Sequence, residues 1–461
     1  IAPVLPVLQT DLRSTQSTVT WVLTAYLLSA SVFTPILGRV GDIIGKKKVL
    51  VAVLVVLAVG SILAALATSI GVLIAARVIQ GVGGGVIPLS FGIVRDEFPP
   101  DKVVGTIGVL ASLLAAGGGA GLVLAGPIVR IFDYHWLFWI PGVLVAAAAL
   151  ATHFVVPESP GRRAGRMSLW PAVPLSGWLV ALLLAISKAP SWGWASGRVL
   201  GLLLLAVVLF GVWVTVERRT LYPLIDMRMM RLPAVWTTNL VALLFGVGMY
   251  AVLAFLPGFV QTQRSAGYGF GSTITQAGLI LLPLAAMMFI FGGLSGRLSA
   301  RFGASRVLVL GSSMCVVPYL ALGLAHEHVW EVSAAMALLG AGFGLAFSAM
   351  SNIIVDSVPS YQTGVASGMN ANIRTIGGSI GVAVMASIVT STTLPGGLPT
   401  EAGYTAGFVM LAAVTVLAAL AGLLIPRTHI RRDARQKQQL AMSHPAVALV
   451  AAAPIVGDEP E

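Results

Sequence analysis

Charge is scarce in this chain of 461 residues: 10% are Asp, Glu, Lys or Arg, 57% are hydrophobic, and the mean hydropathy is +0.93. Soluble domains carry about a quarter charged residues, so a water-soluble enzyme is excluded. Cysteine is scarcer still. Cys315 stands alone in an apolar stretch, which excludes an intrachain disulfide and leaves the redox compartment unread. The histidines form no ligand cluster: His326 and His328 flank Glu327, and two alternating histidines without further ligands read as solvated loop residues. No metal is expected. The polar-apolar alternation of an outer-membrane barrel is missing too. What remains is a helical integral membrane protein, long enough for a dozen or more crossings at about 20 residues each.

Charge-poor apolar runs lie at 1–10, 19–38, 49–68, 70–94, 103–129, 134–156, 170–187, 198–216, 235–261, 274–295, 307–325, 329–355, 364–390 and 404–426, fourteen in all. The first is too short to cross a core that takes about 20 residues. The chain is therefore expected to begin inside a helix whose first part precedes Ile1, with no recognisable cleavable leader. Lysine and arginine orient the runs, because short cytoplasmic loops retain positive charge. Most of the 28 follow even-numbered runs, among them Arg39, Lys46 to Lys48, Arg95, Arg218 and Arg297, or lie in the tail from Arg427. The other side holds Arg13, Arg130, Lys188, Arg198 and Arg264, while Arg77 and Arg374 lie inside runs. Both termini are thus expected in the cytoplasm, in a multi-pass protein of the cell (cytoplasmic) membrane. The net charge of +11 is then topological and faces lipid. With no soluble basic domain bearing aromatic residues, nucleic acid is not an expected partner.

An internal repeat organises the runs. Gly38, Arg39, Gly45 and Val49-Leu50, between the second and third runs, coincide with Gly296, Arg297, Gly303 and Val307-Leu308, between the tenth and eleventh. The offset spans eight runs, although six precede the seventh, so the plan reads as six plus two plus six, with the extra pair near 170–216. Transporters are commonly built from repeated halves with a substrate site between them.

These residues resemble the major facilitator superfamily, in its fourteen-helix drug:proton antiporter branch. Gly38 to Leu50 matches the superfamily's cytoplasmic loop signature, with Asp42 at its acidic position and Lys46 to Lys48 at its basic end. Leu73, Arg77, Gln80, Gly81 and Gly83 match its fourth-span signature, and the run from Gly364 to Gly378 is typical of the branch. The resemblance extends through about Pro426, although Gly121 to Pro127 lacks the proline and one glycine of the branch's fifth-span signature. It implies an all-α major-facilitator-type fold of about 14 transmembrane helices, the first truncated. Residues 1–156 would form an N-terminal six-helix bundle, 157–230 two linker helices with flanking loops, 231–426 a C-terminal six-helix bundle, and 427–461 a basic then Ala/Pro-rich cytoplasmic tail. The implied activity is export of amphipathic organic compounds, such as drugs or antibiotics, in exchange for protons by alternating access and without a cofactor. A passive facilitator of small organic solutes is the alternative. A membrane-embedded lipid-modifying enzyme ranks below it, since no Ser/His/Asp cluster lies within a run.

An ionisable side chain at the bilayer centre costs at least about 2.5 to 3.5 kcal/mol, so Arg77 and Arg374 need a reason to be there. The plain alternative is that each guanidinium bonds carbonyls of a glycine-lined helix. The resemblance assigns Arg77 to proton coupling, where its charge would lower the pKa of a nearby carboxylate, with Gln80 one turn away. No acidic residue lies in the middle of a run. The proton carrier is then expected upstream of Ile1, where the resemblance puts it, or at an end-of-run residue such as Glu331. By the same resemblance Gly38, Asp42, Gly45, Lys46 and Lys47 form a conformational lock. Asp42 would face a helix N-terminus of the other half, an attraction of about 0.3 to 2 kcal/mol. Ala300 stands at the equivalent place in the second copy.

A ligand cavity is expected between the first six runs and runs nine to fourteen. Tyr26, Tyr250 and Phe255 would line it with the adaptable Met287 and Met288. So would Phe343, Phe347, Asn370 and Arg374, the last two sharing a helix face four residues apart. For each of these the plain alternative is helix packing. Two buried arginines without a buried acid favour neutral or anionic substrates. The glycine-rich stretches at 81–85 and 117–121 lie in apolar helices rather than after a strand, so they serve close helix approach and not a nucleotide. The expected partners are a small-molecule substrate, protons and the lipid bilayer; the sequence sets no oligomeric state.

Overall fold

The computed structural model describes residues 4–426 apart from 15, 20, 159–167, 169 and 395–397, so the tail expected from 427 lies outside the described residues. Long helices dominate. In chain order they are α1 (Leu5–Asp11), α2 (Trp21–Ile44), α3 (Lys46–Ala65), α4 (Ile70–Glu97), α5 (Pro100–Ile131), α6 (Trp136–Val155) and α7 (Ala172–Trp192). There follow α8 (Gly197–Arg219), α9 (Pro233–Gln261), α10 (Ile274–Phe302), α11 (Ala304–Leu324), α12 (Val329–Ser357), α13 (Thr363–Val389) and α14 (Glu401–Leu423). Among the described residues no strand forms, and the only isolated bridge joins Thr393 to Pro399.

The fourteen apolar runs fall on these helices, and 12 of them, α2 to α4 and α6 to α14, are long and apolar enough to cross a membrane. The 32-residue α5 is longer than any of these, and the 7-residue α1 is too short to cross. Local departures from regular helix have chemical causes. In α4 the glycine-rich stretch Gly81–Gly85 winds as a 3-10 turn, where a Cβ on Gly81 would collide with Ser29 of α2. The α11 helix is interrupted at Cys315, three residues before Pro318, whose ring nitrogen cannot donate to the Met314 carbonyl. The α7 helix runs on to Trp192, past the expected end at 187, and carries Lys188 within it, its ammonium 4.9 Å from the Trp21 ring.

Lipid tails are as apolar as leucine, so close packing of small residues, rather than hydrophobic exclusion, brings membrane helices together. Gly246, Gly377 and Gly381 let α9 and α13 meet backbone to backbone, each lying against a carbonyl of the other helix. The largest apolar core gathers residues of α9 to α14, including Phe259, Tyr319, Met336 and Phe408. Helices α2, α3, α4 and α6 contribute to smaller cores around Leu73 and Phe138 and around Leu54 and Leu89. The extra pair has a core of its own: Leu175, Leu179 and Trp213 of α7 and α8 pack with Val235, Ile354 and Met369, and Leu28 of α2 rests against them.

Candidate gate and ligand chamber

Two glycine crossings hold the helix groups together at the end of the bundle where Asp42, Lys46 and Arg95 lie, here called the basic end. A Cβ on Gly38 of α2 would stand 2.5 Å from the Gly364 carbonyl oxygen of α13, and one on Gly364 would stand 2.5 Å from the Gly38 oxygen. The second repeat makes its own crossing: a Cβ on Gly296 of α10 would be 2.8 Å from the Gly105 Cα of α5. Thus the same repeat glycine serves both seams.

The first crossing carries an acid. Asp42, one turn beyond Gly38 and 5% exposed, accepts hydrogen bonds from the backbone N–H groups of Gly364 (3.3 Å) and Val365 (3.2 Å). These belong to the first turn of α13, where unpaired N–H groups and the helix dipole favour a carboxylate. Gly45, at φ +124°, reverses the chain into α3 in a conformation that side chains disfavour. That reversal brings Lys46 to within 3.6 Å of Asp42, 2.5 Å of Asp96 and 3.5 Å of the Ser360 carbonyl. Arg95 donates to Thr363 Oγ1 at 2.6 Å, a further tie to α13. Lys47 is half-buried and makes none of these contacts.

The two arginines expected inside spans are both buried, and each lies over an aromatic ring. Arg77, 9% exposed, is 4.3 Å from the Tyr26 ring centroid, donates from Nε to the Val22 carbonyl (3.1 Å), and donates from Nη1 to Gln80 Oε1 (2.6 Å). Gln80 in turn donates to Ser61 Oγ at 2.9 Å, so one polar cluster ties α2, α3 and α4. Arg374, 6% exposed, lies 4.3 Å over Phe347 and contacts the Tyr250 hydroxyl, while its Nε has no hydrogen-bond partner among the described residues. Neither guanidinium pairs with a carboxylate among the described residues. Asn370 donates to Asn239 Oδ1 at 2.9 Å, which joins α13 to α9.

Two cavities flank this level. A small one, of about 10 Å³, lies between α4, α12 and α13 and is lined by Phe347, Ser351, Ser367, Asn370 and Arg374. That is room for about one water molecule. A larger chamber, of about 350 Å³, lies farther from the basic end, with α2, α7 and α13 as its walls and Tyr250 of α9 projecting into it. Of the residues expected in a cavity, Tyr250 lines the chamber, and Phe347, Asn370 and Arg374 line the small pocket. Tyr26 sits beside Arg77. Phe343 is fully buried and packs edge-on against Phe245, and Phe255 and Met288 pack on the same core. Met287 is half-buried on α10 and lines neither space.

Sequence reasoning missed Leu183, Ser187 and Pro190 of α7 in the chamber wall, and nothing in their local pattern distinguishes them from other residues of an apolar helix. It also missed Glu217, buried at the basic end of α8, which accepts from Trp213 Nε1 and from the N–H groups of Leu224 and Ile225 and so fixes the connection to α9. Glu331, the end-of-run alternative for a proton carrier, forms a capping box with His328 at the start of α12. His326 bonds Glu401, and the described residues contain no group that could hold a metal ion.

A family model described as Major Facilitator Superfamily matches residues 1–382. The tetracenomycin C resistance and export protein of Streptomyces glaucescens is 28% identical over 395 residues, covering 84% of this chain and 71% of that protein. The uridine/deoxyuridine transporter of Lactococcus lactis subsp. cremoris (strain MG1363) is 26% identical over 446 residues, covering 92% of this chain and 90% of that one. Among solved structures, the human organic anion transporter MFSD10 (TETRAN) aligns with a TM-score of 0.66 at 16% identity, over 91% of this chain and 89% of its own, a likeness of fold.

Proposed function

The chain belongs to the major facilitator superfamily and is a multi-pass membrane transporter of small molecules, and on that premise we propose that it exports amphipathic organic compounds in exchange for protons. Residues 1–156 and 231–426 act as two bundles that rock about a central site, joined by 157–230, with the basic end and both termini in the cytoplasm. Gly38, Asp42, Gly45, Lys46 and Lys47 form the cytoplasmic lock, and Arg77 with Gln80 takes part in proton coupling. Tyr250, Phe347, Asn370 and Arg374 contact substrate.

The observation that supports this reading most is the sealed crossing at the basic end, with Asp42 on the first turn of α13, below a ligand-sized chamber between the same two helices. A seam held by the Asp42 carboxylate, with Arg95 and Lys46 adding a hydrogen bond each to Thr363 and Ser360, is strong enough to close and weak enough to reopen in each cycle. Export is favoured by the relative named for resistance and export. Proton coupling is energetically adequate: one proton crossing 100 mV yields about 2.3 kcal/mol, enough at about 1.4 kcal/mol per decade to sustain a roughly fifty-fold substrate gradient.

The test is uptake into proteoliposomes containing the purified full chain, with tetracenomycin C and uridine as first compounds. Accumulation that follows an imposed pH gradient and collapses with a protonophore is expected. Equilibration indifferent to the gradient would replace the antiporter with a passive facilitator, a reading to which the nucleoside transporter among the relatives lends weight. The lipid-modifying enzyme is set aside, because the chain is a transporter of this family.

A further inference from the structure

The chamber of about 350 Å³ has a wall that the six-plus-six plan does not supply. Leu183, Ser187 and Pro190 of α7 face it alongside Thr24 and Leu27 of α2 and Thr375 and Ser379 of α13. Helix α7 is fastened to both neighbours at this end. Lys188 lies 4.9 Å over the Trp21 ring at the start of α2, and Trp194, just past α7, donates from Nε1 to Ser387 of α13 at 2.8 Å. Nearer the basic end the same stripe of the helix is packed in the core that Leu179 and Leu183 share with Ile354 and Met369. The helix is thus held across the α2–α13 seam and forms one wall of the chamber.

We propose that α7 is a wall of the substrate chamber, where Leu183 and Ser187 select uncharged compounds that pair an apolar body with hydrogen-bond donors. Among the described residues no lysine, arginine or carboxylate lines the chamber; leucine, valine and alanine side chains make most of its surface. A charged ligand would therefore be desolvated there without a counter-charge. The polar groups it does offer are mainly hydroxyls, and two of them have a fixed sense. Thr375 Oγ1 donates to the Ala371 carbonyl and Ser379 Oγ to the Thr375 carbonyl, each at 3.1 Å. Their protons are committed to the helix, so they present lone pairs to a ligand and accept from its O–H or N–H groups. Ser187, exposed on α7, lines the chamber with a further hydroxyl that can accept from the same ligand.

Only the word substrate rests on the export reading; the site itself stands on the geometry. The native chain has one thiol, Cys315, buried against Gly342 and Gly311, so it is silent to alkylation. In membranes holding the full-length Ser187→Cys variant, the rate of reaction with N-ethylmaleimide is measured with three probes. These are estradiol, which is uncharged with two hydroxyl donors, its dimethyl ether, which has none, and the cation ethidium. Estradiol at ten times its dissociation constant should slow the reaction about tenfold by mass action, while the ether and ethidium leave it unchanged. Thr215→Cys, on the exposed face of α8, should react at one rate throughout. The proposal is overturned if estradiol gives no protection, if the ether or ethidium protects Ser187→Cys equally, or if Thr215→Cys is slowed to the same degree. No ion gradient is applied, so pH-driven export with an unprotected Ser187→Cys would sink the chamber alone. Protection without pH-driven export would sink only the coupling.

Discussion

Asp42 gives up water for two backbone N–H groups and a nearby ammonium, so its charge and both of its oxygens are committed. Asp42→Asn keeps the shape but removes the charge and one acceptor. It should weaken the seam by about 1 kcal/mol, raising the population open at the basic end roughly fivefold. Electron-paramagnetic distance measurements between spin labels at Ile44 and Ser360 should show the longer distance gaining. Arg77 is held by its planar fork between Val22 and Gln80. An ammonium cannot reproduce that fork, so Arg77→Lys should lower pH-driven transport on the order of tenfold, equivalent to about 1.4 kcal/mol, and unchanged transport would remove Arg77 from the mechanism. The pairing of Arg77 with Gln80 was legible from their spacing of three. Its other partners, Val22, Tyr26 and Ser61, were not, because periodicity within one helix carries no information about which neighbour it meets.

At the scale of helices, glycine decides how closely two elements can lie. Gly38→Ala sets a methyl group against the Gly364 carbonyl, backbone against backbone with no flexible side chain to yield. Overpacking of this kind costs about 1 to 3 kcal/mol, so the purified variant should melt at a lower temperature in a thermal unfolding assay. Gly71→Ala, where a Cβ meets open space, should melt with the parent. Apolar run length located every long helix, because crossing a membrane demands it. Helix ends were less legible: α7 extends past Lys188 to Trp192, where a charge ended the apolar run, and the break in α11 turns on Pro318 inside a run that hydropathy reads as continuous.

For the whole molecule, the repeat at Gly38 and Gly296 led to the expectation of two related halves, and both glycines stand at close helix crossings. The role of α7 in the chamber was beyond sequence reasoning, since a third helix joining a seam between two related groups leaves no mark on its own residues. The orientation proposed from the placement of lysine and arginine has a direct check. In intact cells a membrane-impermeant maleimide should label Ser196→Cys, in the turn between α7 and α8, and spare Lys48→Cys, at the start of α3; the reverse pattern would turn the molecule over. The unequal equipment of the two crossings has a mechanical corollary. Gly105 and Gly296 press backbone against backbone, whereas Gly38 and Gly364 are bolted by the Asp42 carboxylate as well. Motion should accordingly resemble a gate swinging on a post, with α5 and α10 as the post, rather than the even spread of a pair of scissors.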